Sequence, residues 1–335
     1  MQRTVSEIGE AGLIHRISAV LPKPDAGEAW IGDDAAVLSW DSGRLLFSVD
    51  ALVEGVDFDL AYCDGSDVGW KAVASNVSDI AAMGGRPRYA LGTLVVPVET
   101  DLGVVDDIFR AMSDAARGWG LSLVGGDISR GDQISVSVAI VGEPLGEPVY
   151  RSGAAAGEAI CVTGSLGGAA GGLLALRRGL LDRASVHDRA AVERLIQRQL
   201  RPRARVEEAE ILTAHGVGSM IDVSDGLALD LDHLMDASAA GCTVALESLP
   251  VDGDLSVLAE LLPSADPLEL AITGGEDFEL LVTLDPSSVS TTVDALTAAG
   301  SSLTQIGTVT DGPRLIGGRS LESRKDRGWD HLRVR

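Results

Sequence analysis

The sequence predicts an α/β (α+β) protein of two domains, and three observations carry that prediction. The chain has 335 residues, more than one ordinary core absorbs and enough for two domains of roughly 150 residues each. Apolar runs of strand length alternate with amphipathic stretches of helix length through both halves. The 40 glycines sit at the ends of those apolar runs and form no flexible tract, a distribution that belongs to tight turns and close backbone approaches. With 45% hydrophobic but only 4% aromatic residues, the cores must be packed from Ala, Val, Leu and Ile.

Thr4 to Glu7 has capping-box spacing and opens a predicted helix that reaches about Leu21. "LPKPDAGEAW" is a loop by its prolines and glycine. Strands are expected at about 35–39 and 44–50. "SDVGWKAVASNVSDIAAMGG" reads as an amphipathic helix closed by Gly84-Gly85. A strand near 88–97, a helix near 102–118 and strands near 121–125 and 133–142 complete a first domain, residues 1–146. The segment "GEPLGEPVYRSGAAAGE" carries the boundary. The second domain, 147–335, opens with the strand "AICVTG" and a glycine-rich turn into the helix "GGAAGGLLALRRG". Helices are expected near 189–198 and 203–214, then a strand, turn and helix in "SMIDVSDGLALDLDHLMDAS". Strands near 242–247, 277–284 and 303–309 follow, with helices between.

Charge narrows the function. A net charge of −23 repels a nucleic-acid duplex or an anionic membrane surface, so neither is expected as a partner. Cys63, Cys161 and Cys242 are widely separated, with no C-x-x-C spacing, which supports neither a disulfide framework nor a thiolate zinc site. The opening "MQRTVSEIGEAGLIHRI" lacks the apolar centre of a signal peptide, and no apolar run has the length of a membrane span. The cytoplasm is the expected compartment.

The acids have a repeated setting. "WIGDDAAVL" places Asp33 and Asp34 behind a glycine; "FSVDA" carries Asp50, "NVSDI" Asp79, "LVGGD" Asp127, "IDVSDG" Asp222 and Asp225, "TGGEDFEL" Glu276 and Asp277. Any single Asp beside Gly reads first as a turn or helix cap. Together they predict carboxylates delivered by strand ends to one rim. Packed without cations they would repel one another and hold their protons. Magnesium resolves that conflict, because it takes oxygen ligands and keeps positions for water and phosphates. The pattern therefore points to phosphate chemistry with more than one metal ion.

Weaker signals stay open. "VTGSLGGAAGG" could cradle phosphate on its backbone N–H groups or simply allow close helix packing. Lys71 is either a surface ammonium or a counter-charge to the acids. Asn76-Val-Ser-Asp79 echoes Asp222-Val-Ser-Asp225, as an internal duplication or by chance. The five histidines show no paired spacing, and no G-x-S-x-G elbow occurs.

In order along nearly the whole chain, "IGDDAAV", "FSVDALVEGVDF", "KAVASNVSDIAAMGGRP", "LVGGDISRGD", "YRSGAAAGE", "VTGSLGG", "IDVSDGLALDL" and "TGGEDFEL" resemble the thiamine-monophosphate kinases. These belong to the ATP-binding superfamily shared with aminoimidazole ribonucleotide synthetase. The resemblance implies ATP-dependent phosphorylation of thiamine monophosphate to thiamine diphosphate, several Mg2+ ions, and a homodimer joined through strands of the first domain. By position it implies metal ligation by Asp34, Ser48, Val49, Asp50, Asp79, Asp127, Asp222 and Asp225. Gly126, Asp127, Arg151 and Ser224 would hold ATP, and Asp57, Glu276 and Trp329 the thiamine end. Val49 departs from the threonine common there: valine is harmless if that position ligates through its carbonyl, and one metal is weakened if it ligates through a hydroxyl. Asp57 stands where some relatives carry histidine. No general base is implied, since the acceptor phosphate is already mostly dianionic at neutral pH. Two alternatives remain: a cyclase like aminoimidazole ribonucleotide synthetase, whose Asp-Gly-x-Gly-Thr-Lys run is replaced here by "DALVEG", and a non-catalytic cation binder.

Overall fold

Alternation in "GRLLFSVDALV" makes Gly43–Val53 a strand. Leu46 and Leu52 are buried on one face, while Phe47 and Val49 stand outside. This strand anchors the first sheet of a computed structural model that describes Gly12, His15 and residues 26–30, 33–40, 43–324 and 328–330. The predicted first helix, apart from Gly12 and His15, and the first half of the following loop lie outside the described residues.

In the first sheet, β1 (Ala36–Trp40) pairs with β2 (Gly43–Val53), β2 with β5 (Ser135–Pro144) and β5 with β3 (Gly85–Val96), all antiparallel. The edge strand β4 (Ser122–Arg130) runs parallel to β3, giving the order β1-β2-β5-β3-β4. Helices α1 (Gly65–Ala82) and α2 (Leu102–Gly118) cover the inner face, where Leu46, Val136, Val138 and Ile140 meet Val73, Val77, Ile108 and Met112.

The second half is built on a seven-stranded sheet, in order β12-β11-β8-β10-β6-β9-β7. Its strands are β6 (Ala159–Thr163), β7 (Ser219–Asp222), β8 (Gly241–Val244), β9 (Leu280–Leu284), β10 (Leu303–Thr310), β11 (Arg314–Ile316) and β12 (Arg319–Ser320). Around it lie α3 (Gly168–Arg177), α4 (Val186–Leu200), α5 (Val206–Ala214), α6 (Leu227–Ala237), α7 (Leu255–Leu261), α8 (Pro267–Thr273) and α9 (Val289–Ala298). No helix among the described residues is long and apolar enough to cross a membrane.

Helix α1 ties the halves together. Asp64 caps it, accepting from the N–H groups of Ser66 at 2.8 Å and Asp67 at 3.1 Å. A Cβ on Gly69 would lie 2.1 Å from the Ile108 carbonyl oxygen, so glycine is what lets α2 approach. Ala81 and Ala82 pack with Leu212, Met220 and Leu280 of the second half. A helix enclosed on all sides should be apolar throughout, yet Lys71, Ser75, Asn76 and Ser78 are buried within it. That breach of pattern locates the site.

The structure corrects three expectations. The acids do not all come from strand ends: Asp50 and Asp127 lie inside β2 and β4, Asp79 lies inside α1, and Asp222 alone of these ends a strand. The two echoing tetrapeptides therefore have different settings, one within a helix and one at a strand-to-turn junction. The strand expected from 277 begins at Leu280, because Glu276 and Phe278 hold left-handed φ of 68° and 49°. Finally, β4 continues through Gly125-Gly126 instead of stopping there. A Cβ on Gly126 would sit 1.7 Å from the Gly92 carbonyl oxygen, so these glycines serve the close approach of β3 and β4. Gly126→Ala should accordingly destabilise the fold by about 1–3 kcal/mol, read from urea denaturation; an unchanged midpoint would refute that packing role.

Candidate metal and phosphate site

Asp34 precedes β1, Asp79 projects from α1 and Asp222 closes β7. Each offers one carboxylate oxygen such that all three lie within 4.8 Å of one another. Asp222 is 2% exposed and so is the Asp34 side chain. Two unit charges 4.8 Å apart repel by roughly 3.5 kcal/mol at an effective dielectric of 20. Three mutually close acids are therefore a standing cost unless something positive sits with them.

Part of the answer is in the chain. The Arg151 guanidinium grips Asp34 through Nη2 at 2.8 Å and Nε at 3.2 Å, and its backbone N–H donates to the Asp33 carboxylate. Burial alone would lower the Arg151 pKa, but Asp34 and Asp33 hold it above the ordinary arginine value. Ser78 Oγ donates to Asp222 Oδ2 at 2.5 Å. Ser48 Oγ donates to Asp79 Oδ2 at 2.5 Å and lies 3.2 Å from the Asp34 carbonyl oxygen. Asn76 Oδ1 accepts from the Asp50 N–H at 2.9 Å, pinning β2 against α1.

One arginine and two hydroxyls do not balance the acids. Burial, then the charges of Asp50, Asp222 and Asp34, push the Asp79 carboxyl well above the usual carboxylate range. Burial and Asp34 do the same to Asp222. Asp33 is pushed up to about 7 by burial and by its neighbour Asp34. A set of hard oxygen donors in so negative a setting fits a magnesium-type ion.

Around this core the other predicted residues take distinct places. Asp50 and Ser48 share one face of β2. The Val49 side chain points to the other face, 60% exposed, so a part in ligation would fall to its backbone. Asp127 is exposed on the edge strand and stands in the row Ala51–Ser137–Thr93–Asp127, one row over from Asp50–Val138–Gly92–Gly126. It is not one of the three clustered carboxylates. Asp225 follows Asp222 in a clamped turn: Asp230 Oδ2 accepts from the N–H groups of Asp225 and Gly226, and the Asp225 carbonyl accepts from Trp329 N–H at 2.9 Å. The Ser224 carbonyl accepts from Glu276 N–H at 2.7 Å. Asp57 Oδ2 accepts from Val53 N–H, so that carboxylate helps close the turn after β2. A hollow of about 490 Å3, lined in part by Trp30, Asp33, Arg44, Tyr150 and Ser152, opens beside the cluster.

Several working residues escaped the sequence reading. Asp33 is no helix cap; it fastens the Arg151 backbone beside Asp34. Asp230, buried and pushed up by burial and then by Asp225 and Asp222, organises the 225–226 turn from inside α6, and its place in "DGLALDLD" was the available signal. Of the two readings of Lys71, the surface ammonium is excluded and the counter-charge holds for a single acid: it is 4% exposed and ion-paired to Glu276. Two N–H groups of the glycine-rich turn before α3 are already taken by a carboxylate: Asp277 accepts from Gly167 at 2.5 Å and Ala169 at 3.1 Å. The glycines of α3 serve packing, since a Cβ on Gly172 would lie 2.0 Å from the Leu195 carbonyl oxygen.

Comparison with known proteins identifies the family. The family described as AIR synthase related protein matches twice, its N-terminal domain at residues 32–143 and its C-terminal domain at 155–318. A thiamine-monophosphate kinase from Aquifex aeolicus is 34% identical over 329 residues, spanning 98% of this chain and 99% of that protein. One from Escherichia coli K12 is 36% identical over 285 residues, 84% of each chain. A solved structure described as "AaThiL complexed with AMPPCP and TMP" superposes with a TM-score of 0.86 at 32% identity, covering 99% of both chains. The chain thus belongs to the AIR synthase related family and, within it, to the thiamine-monophosphate kinases.

Proposed function

We propose that the chain transfers the γ-phosphoryl group of ATP directly to thiamine monophosphate, yielding thiamine diphosphate, with Mg2+ ions held at the carboxylate cluster. The convergence of Asp34, Asp79 and Asp222 from both halves carries this reading. Asp34, Asp79 and Asp222 would hold metal together with Ser48, Asp50, Asp127 and Asp225, with Val49 contributing through its carbonyl. Bound there, Mg2+ would cancel the repulsion between two phosphorylated anions and favour their in-line approach.

The chain's own groups have separate tasks. Gly126, Asp127, Arg151 and Ser224 would face ATP. The Arg151 guanidinium has five N–H donors, of which Asp34 uses two, so it can bridge that carboxylate and a phosphate. Asp57, Glu276 and Trp329 would face the thiamine end. With a dianionic acceptor phosphate, no side chain needs to remove a proton. A second copy would cover the outer face of the first sheet. There Phe47, Val49, Tyr89 and Leu91 are 43%, 60%, 57% and 49% exposed and lie in adjacent rows across Val141 and Ala139, an apolar patch that favours a homodimer.

A coupled assay with ATP, Mg2+ and thiamine monophosphate should yield thiamine diphosphate on chromatography. Well-folded protein that makes none would overturn the assignment. A second outcome follows from the raised carboxyls. Asp79 and Asp222 have folded-state pKa values above their unfolded ones, so metal-free protein binds more protons than the unfolded chain and loses stability as pH rises through that window. Mg2+ displaces those protons, so the increase in Tm on adding Mg2+ should be small near pH 5.5 and larger at pH 8. Asp222→Asn should remove most of the increase. An increment that shrinks with pH, or survives the substitution, would count against the metal site.

A further inference from the structure

Phosphoryl transfer as proposed gives the buried charge of Lys71 no task. Lys71, on α1, is 4% exposed, and an ammonium in such a place persists only when paired. Its Nζ donates to the Asp57 carbonyl at 3.1 Å and forms an ion pair with Glu276 Oε1. From α4, Gln199 Nε2 donates to the other Glu276 oxygen at 2.5 Å. Glu276 holds a left-handed φ of 68°, a conformation that a non-glycine residue keeps only where its surroundings enforce it. Its N–H is fastened to the Ser224 carbonyl. Segments of both halves thus converge to fix one carboxylate, which is still 29% exposed.

We infer that Lys71 is a positioning residue for the acceptor substrate: it neutralises Glu276, so that this carboxylate receives a neutral amino donor and does not serve as counter-ion to a ring cation. The inference rests on the proposed placement of Glu276 at the thiamine end. A carboxylate has about four lone-pair sites. Lys71 and Gln199 each engage one oxygen, leaving acceptor capacity on a group already oriented and charge-balanced. A paired ammonium also cancels most of the field that a lone carboxylate would exert on a cation a few ångströms beyond it. The part of thiamine monophosphate that suits such an acceptor is the exocyclic amino group of its pyrimidine. The thiazolium would then draw its stabilisation from elsewhere, with the Trp329 ring the candidate face.

Steady-state kinetics on the full chain test this, with thiamine monophosphate and with the analogue carrying an oxo group in place of the pyrimidine amino group. The unmodified protein should prefer the amino substrate by about 100-fold or more. Lys71→Met should raise the KM for thiamine monophosphate about tenfold, leave the KM for ATP within about twofold, and shrink the amino-over-oxo preference. Combined with Glu276→Gln it should be no worse than Glu276→Gln alone. Should Lys71→Met not fold, Gln199→Met removes the other holder without stranding a buried ammonium, and its KM for thiamine monophosphate should rise severalfold. An unchanged preference in the folded variant, or equal rises in both KM values, would overturn the inference. Absence of product from the unmodified protein would instead sink the kinase assignment, so the two failures are distinct.

Discussion

Mutual repulsion among Asp34, Asp79 and Asp222 is the constraint around which the molecule is organised. Left free, three carboxylates with oxygens within 4.8 Å of one another would swing apart. The fold denies them that escape by mounting each on a different rigid element: the entry to β1, the last turn of α1 and the end of β7. Arg151 grips Asp34, and serines steady the other two. What remains is a partly desolvated excess of negative charge, a donor set whose chemistry suits a small, hard cation. Burial and then neighbouring negative charge push the Asp79 and Asp222 carboxyls upward together.

Helix α1 makes this possible. It is packed by the first sheet, by α2 and by the second half, so its polar side chains cannot relax into solvent. Along it, Asp79 meets Asp34 and Asp222, Ser78 meets Asp222, Asn76 holds β2 at Asp50, and Lys71 reaches Glu276. One buried helix therefore holds the acid cluster at its C-terminal half and the Lys71–Glu276 pair at its N-terminal half. The 223–226 and 276–278 turns lie against each other through the Ser224 and Val223 carbonyls, which couples the second half's contribution in the same way.

Much of this could be read from residues and their order. Alternation in β2, the glycine stop after α1, and the recurrence of acids beside glycine all expose local rules, and the ordered motifs carried the family. What escaped depends on contacts between distant segments. Nothing near Lys71 announces Glu276, because the pair exists only once the two halves dock. The glycine-rich turn before α3 has the composition of a phosphate cradle; only the fold reveals Asp277 filling it. Asp79 was read both among the strand-end acids and within the helix "SDVGWKAVASNVSDIAAMGG", and only the second reading holds. Asp230 and Ser78 were in view but silent, as their work is to hold other site residues in place.

Direct localisation of bound metal bears most immediately on the central idea. Crystals grown or soaked with Mn2+ in place of Mg2+, measured near the manganese edge, should give an anomalous peak enclosed by the Asp34, Asp79 and Asp222 carboxylates. Full manganese elsewhere and no peak among those three side chains would contradict it.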